Sequence, residues 1–150
     1  MDNNFQMSFV VEQPASKLFN AINNVTQWWN ENLKGESKEL NDEFEVQFSD
    51  DVHYSKQKLI ELVPNKKVVW LVTDSKLSWL KNKHEWTGTK IVFEIFDHPK
   101  GTALKFTHIG LNPETECYKD CSNGWRQYIN SLYKLISTGK GEPEKVKIYE

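Results

Sequence analysis

Most of what would place a reaction in a protein is missing from this chain. The only candidate for a glycine-rich phosphate loop is Gly139-Lys140-Gly141, and it lacks the strand-to-helix setting such loops need. No carboxylate pair stands out for acid–base work. Nor does any apolar run approach the ~20 residues needed to span a bilayer. Charge is nearly balanced, with 19 basic and 21 acidic residues scattered along the chain and a net charge of −2. That balance gives no electrostatic footprint for nucleic acid or an anionic membrane. The opening Met1-Asp2-Asn3-Asn4 has neither the basic start nor the apolar run of a signal peptide, so a cytoplasmic location is expected.

Cysteine is scarce too. Cys117 and Cys121 are the only two, four residues apart. If both lie on a helix, their side-chain directions suit a disulfide poorly. They are expected to be reduced, as in a cytosol.

Aromatics, by contrast, are abundant for so polar a chain: six Trp, eight Phe and five Tyr, against a mean hydropathy of −0.66. Such side chains dominate cores and line pockets. The 150 residues fit one domain, since domains usually hold about 100–200. Polarity rises after Gly139, so residues 1–139 are expected to form the domain and 140–150 a polar, solvated tail.

Strand patterns are strong. Phe5, Met7, Phe9 and Val11 alternate with Gln6, Ser8 and Val10, and Phe44, Val46 and Phe48 with Glu45 and Gln47. Val68 to Asp74 follows a turn at Pro64 and is strongly apolar around Trp70. Ile91, Phe93 and Ile95 share one face of the next strand. After a turn at His98-Pro99-Lys100-Gly101, so do Leu104, Phe106 and His108. Short connections between consecutive strands predict an antiparallel sheet of about six strands. Ala15, Leu18, Phe19 and Ile22 have helical spacing, and Val25, Trp28 and Trp29 suggest a second short helix. A long helix is predicted from Asn112-Pro113-Glu114, a good capping sequence, to Gly139. Its apolar face is Cys117, Cys121, Trp125, Tyr128, Leu132, Leu135 and Ile136. The fold class is therefore α+β. A long apolar-faced helix needs a surface of matching length, and a curled sheet supplies one.

Several segments carry a resemblance. They are Phe9-Val10-Val11-Glu12-Gln13-Pro14, Trp28-Trp29, Val68-Val69-Trp70, the run from Trp86 to Glu94, the run from Leu104 to Leu111 and the run from Gly124 to Leu132. In order and spacing they resemble the SRPBCC (START-like, helix-grip) superfamily. Within it they are closest to the activator-of-heat-shock-ATPase-like proteins. The resemblance covers residues 5–139 and implies a curved sheet wrapped around the C-terminal helix. Between the two it implies a cavity for an apolar or amphipathic small molecule. The co-chaperone role of the group goes with a further N-terminal domain, which these residues do not include.

The expected cavity lining is Phe48, Trp70, Asp74, Trp79, Trp86, Phe93, Phe106, His108, Cys121, Gly124, Trp125 and Tyr128. Asp74 shares strand parity with Trp70 and Val72, which would make it a polar anchor at the mouth; the plainer reading is a solvated strand end. Trp79 and Trp86 sit in a long connection, Ser75 to Thr87, that would act either as a lid or as a plain cover over the core. Cys117, Cys121 and His108 make three potential ligands, but a structural zinc site wants four. Cys–His catalysis would need a hydrogen bond and an orienting third group that sequence does not establish. Gly124, mid-helix, either makes room for a ligand or lets a strand pass close. No metal, cofactor or catalytic set is expected. The leading function is binding of a hydrophobic or amphipathic small molecule. The alternatives are a protein-interaction or co-chaperone-like module, and a cavity enzyme of cyclase or hydrolase type.

Overall fold

The computed structural model describes residues 3–48 and 53–144. Strand β1 (Phe5–Val11) leads into helix α1 (Ala15–Asn23), then a 3-10 turn at Val25–Gln27. Six further strands follow: β2 (Leu33–Gly35), β3 (Glu43–Phe48), β4 (His53–Val63), β5 (Lys67–Leu77), β6 (Lys90–His98) and β7 (Gly101–Ile109). Helix α2 (Tyr118–Thr138) closes the fold. All seven strands form one antiparallel sheet in the order β1-β7-β6-β5-β4-β3-β2. This is the helix-grip arrangement. The seventh strand, β2, has only three residues and leaves almost no periodic signal.

Alternation does what the sequence pattern requires. Ile91 and Phe93 of β6 and Phe106 of β7 are fully buried, Leu104 nearly so, and Trp70 of β5 lies beneath them. Helix α2 lays Cys121, Trp125, Ile129, Leu132 and Ile136 against this interior, spaced three and four apart. Phe9 is half-buried, edge-on to Tyr133 of α2. Helix α1 packs on β5, β6 and α2 through Leu18 and Ile22.

Trp28 and Trp29 follow the 3-10 turn rather than a second α-helix, and both are buried. They stack on Trp70, with ring centroids 6.2 and 5.4 Å away. Trp29 also stacks on Trp125 at 5.3 Å, and Trp125 on Trp86 at 5.8 Å. Five of the six tryptophans thus form one continuous stack through the core. Truncating such a buried indole typically costs about 3–5 kcal/mol.

Helix α2 starts later than expected. Asn112 and Thr115 are used in a turn of their own: Asn112 Oδ1 accepts from the Glu114 amide, and Thr115 Oγ1 donates to the Asn112 carbonyl. The capping sequence therefore serves a local turn, and 21 helical residues remain. Gly139 ends the helix in the left-handed region at φ 89°, its amide donating to Leu135 O. Of the expected tail, residues 141–144 turn back onto the body. The Glu144 amide donates to Trp29 O and the Glu31 amide to Glu144 O. Residues 145–150 lie outside the described residues.

The expectation of two free thiols is overturned: Cys117 and Cys121 are joined as a disulfide. Cys117 sits just before the first helical turn, and its Cα is 5.5 Å from that of Cys121, within the usual span for a disulfide. Rigid helical side-chain directions at both positions were the wrong premise. The pairing also removes the thiols as an argument for a cytosolic setting. Alkylation of the denatured, oxidised protein should label no cysteine before reduction and two after; two labels before reduction would contradict the pairing. Because the bridge closes a very short loop, replacing both cysteines by serine should cost about 2 kcal/mol, read as a shift in denaturation midpoint.

Candidate functional site

One cavity, of about 220 Å³, opens beside the first turns of α2. Trp29, Phe48, His53, Trp79, Trp86, Asp120, Cys121, Gly124, Trp125 and Tyr128 line it. Helix α2 supplies one wall, because 120, 124 and 128 recur every four residues. The end of β3 gives Phe48, the start of β4 gives His53, and the β5–β6 connection gives Trp79 and Trp86. A Cβ added at Gly124 would meet no atom within 4 Å, so the missing side chain opens space rather than admitting a strand.

The expected lining divides accordingly. Phe48, Trp79, Trp86, Cys121, Gly124, Trp125 and Tyr128 meet at the cavity. Trp70, Phe93 and Phe106 are fully buried core behind it. Asp74 is exposed and points away, its Oδ1 accepting from the next amide, Ser75. The reason is a bulge. Lys56 pairs with Asp74 but Gln57 pairs with Val72, leaving Thr73 as an extra residue in β5. From there the alternation flips, and Ser75 and Leu77 point inward instead.

His108 also stands behind the wall, fully buried. Trp125 Nε1 donates to its Nδ1 at 3.0 Å. The Thr89 hydroxyl donates to Trp86 O, and so accepts from His108 Nε2–H at 2.9 Å. Both ring nitrogens are committed and the tautomer is fixed. Burial, with His53 nearby, pushes its pKa down to about 3.

Trp29, His53 and Asp120 were missed. Trp29 is expected only as part of a short helix, and His53 lies in a segment with no apolar periodicity. Asp120 could have been found from its spacing to Gly124 and Tyr128. The His53 ring packs against Phe48 at 4.9 Å, Trp86 at 4.7 Å and Trp79 at 5.9 Å. Burial there pushes its pKa down to about 4. Its Nε2 is shut off from solvent with no hydrogen-bond partner among the described residues, as is Trp86 Nε1. Tyr128 donates its hydroxyl to Glu144 at 3.1 Å. Burial, then the Glu144 charge, raises its pKa.

Trp79 is 43% exposed at the mouth, while Trp86 is buried. The connection after β5 is tied down by carboxylates. Glu116 accepts from the Lys81 and Asn82 amides, and Glu85 from the amides of Glu116 and Cys117. Among the described residues, no group of three or more His, Cys, Asp or Glu could hold a metal ion. Nor is any described helix long and apolar enough to cross a membrane.

A curved sheet gripping a helix, with an aromatic pocket at the helix's N-terminal end, defines a helix-grip domain. The family described as Activator of Hsp90 ATPase homolog 1-like protein matches residues 12–137, and the chain belongs to it. No curated protein matches the chain. Among solved structures, it is similar to the Aha1 dimer from Colwellia psychrerythraea, with TM-score 0.73 and 22% identity over 92% of this chain and 98% of that one. A Mesorhizobium loti protein follows at TM-score 0.69 and 16% identity, covering 89% and 96% of the two chains. A Staphylococcus saprophyticus protein gives 0.66 and 13%, covering 93% and 95%. At these identities the likeness is one of fold.

The two depressed histidines fix an acid response. Both are held below the ordinary 6.5, so the folded protein refuses protons that the unfolded chain accepts. The stability tied to their neutral forms is present above pH 6.5 and drains away as pH falls, towards about 4 for His53 and about 3 for His108. Within that window each costs about 1.4 kcal/mol per pH unit. His108→Gln should therefore reduce the slope of unfolding free energy between about pH 6 and pH 5 by close to one proton's worth, whatever it does to stability overall. An unchanged slope would mean that His108 already carries a proton in the folded state.

Proposed function

We propose that this protein binds a hydrophobic or amphipathic small molecule, one end of which enters the aromatic cavity. The supporting observation is the cavity itself, with aromatic rings on most sides. Size limits the guest. A cavity near 150 Å³ is known to hold one benzene ring, so about 220 Å³ takes a single ring or a compact head group. The rest of a larger ligand would leave past Trp79.

We read no catalytic step into the site. Both nitrogens of His108 are hydrogen-bonded inside the wall, and Cys121 is tied to Cys117. A second reading, a protein-docking or co-chaperone-like module, draws on the family description and on one surface feature. Val10 of β1 and Phe96 of β6 both register against Ala103 of β7, which sets two exposed apolar side chains in one row across the outer face. An intact outer row with a dispensable cavity would favour docking.

Gly124→Leu tests the cavity reading. Leucine enters open space and gains about 1 kcal/mol of helix propensity, so the denaturation midpoint should hold or rise. Binding of an apolar fluorescent probe, followed by tryptophan emission, should be lost in the same variant. A clear loss of stability, or undiminished probe binding, would refute this role for Gly124.

A further inference from the structure

Assuming the cavity is a ligand site, we infer that it selects a cationic head group, in particular a compact quaternary or tertiary ammonium, over an anionic one. Its walls are Trp29, Phe48, Trp79, Trp86, Trp125 and Tyr128. Trp29, Trp125 and Trp86 are stacked on one another, while Phe48 is tilted 53° to Trp29 and 48° to Tyr128. Phe48, Trp79 and Tyr128 lie outside that stack, and aromatic faces that no other indole covers attract cations.

Charge points the same way. Among the described residues, Asp120, exposed in the first turn of α2, is the one carboxylate in the lining, and no lysine or arginine is there. Just beyond, Glu144 holds the Tyr128 hydroxyl and brings a second carboxylate to that side. The histidines do not offset this: His53 in the lining and His108 behind it are both neutral at physiological pH. A helix N-terminus ordinarily favours an anion. Here the free amides of Glu116 and Cys117 are already occupied by the Glu85 carboxylate. An anionic head group would meet Asp120 with no positive side chain among the described residues of the lining to pair with. A hydrated ammonium such as lysine's would lose its water shell among the rings, whereas an alkylated one has little to lose.

Three probes of one shape and different charge test this: choline, its uncharged carbon isostere neohexyl alcohol, and the tert-butylacetate anion. Each is titrated against the protein by tryptophan emission. Choline should bind at least about tenfold tighter than the alcohol, and the anion weakest of the three. Asp120→Asn should narrow the choline-to-alcohol ratio by about threefold, as expected of an exposed charge. Added salt should weaken choline alone. Equal or tighter binding of the alcohol or the anion overturns the inference, as does no detectable binding of choline. If the neutral apolar probe binds wild type but not Gly124→Leu, while choline shows no preference, the cavity reading stands and only the charge preference falls. If nothing binds, both fall.

Discussion

Five indoles packed into one stack are the constraint on which this fold depends. Trp70 comes from the sheet, Trp28 and Trp29 from the connector, Trp125 from the helix and Trp86 from the loop. No two of these elements can shift without sliding one ring over another. The stack thereby fixes the distance between sheet and helix, and that distance sets the size of the cavity. Each indole also carries a donor that must be placed. Trp28 gives its N–H to Ile22 O and Trp125 gives its own to His108. Among the described residues, Trp70 Nε1 in the core and Trp86 Nε1 at the cavity have no acceptor.

The same stack explains why His108 stays neutral. Its Nδ1 faces the Trp125 N–H, so a proton there would set two donors against each other at 3.0 Å. A polar residue on a core-facing strand position thus serves as an acceptor that orients the helix's central aromatic. It leaves the cavity without a positive charge, and the sign of the local field falls to Asp120 and Glu144.

Much of the fold was legible because period-two and helical patterns survive in a polar chain wherever large aromatics mark the buried face. Phe93, Phe106, Trp70 and Trp125 could be placed that way, and the family resemblance supplied the topology. Three kinds of feature escaped. A single inserted residue at Thr73 reverses the parity of everything after it, so Asp74 moved from the interior to the exterior. Strand β4 turns Ser55 and Gln57 inward, where Gln57 donates to Ser55; an internal polar pair looks like a solvated run to any hydropathy rule. And Asn112 and Thr115 carry side chains equally able to cap a helix or to close a turn. At the site, the aromatic lining on α2 was readable from its spacing. Trp29 and His53 were not, because they reach the cavity only through the docking of separate segments.

Stacked indoles at 5–6 Å separation do not absorb light as independent chromophores. Their transition dipoles couple, so excitation is shared along the row from the sheet to the loop. Trp79, at the mouth, stands outside that row and is open to solvent. The molecule therefore holds two optical populations. One is a coupled array whose near-ultraviolet circular dichroism reports the sheet-to-helix spacing; the other is a lone emitter that reports the entrance. A guest that touches only the entrance would alter the second and leave the exciton signal of the first intact.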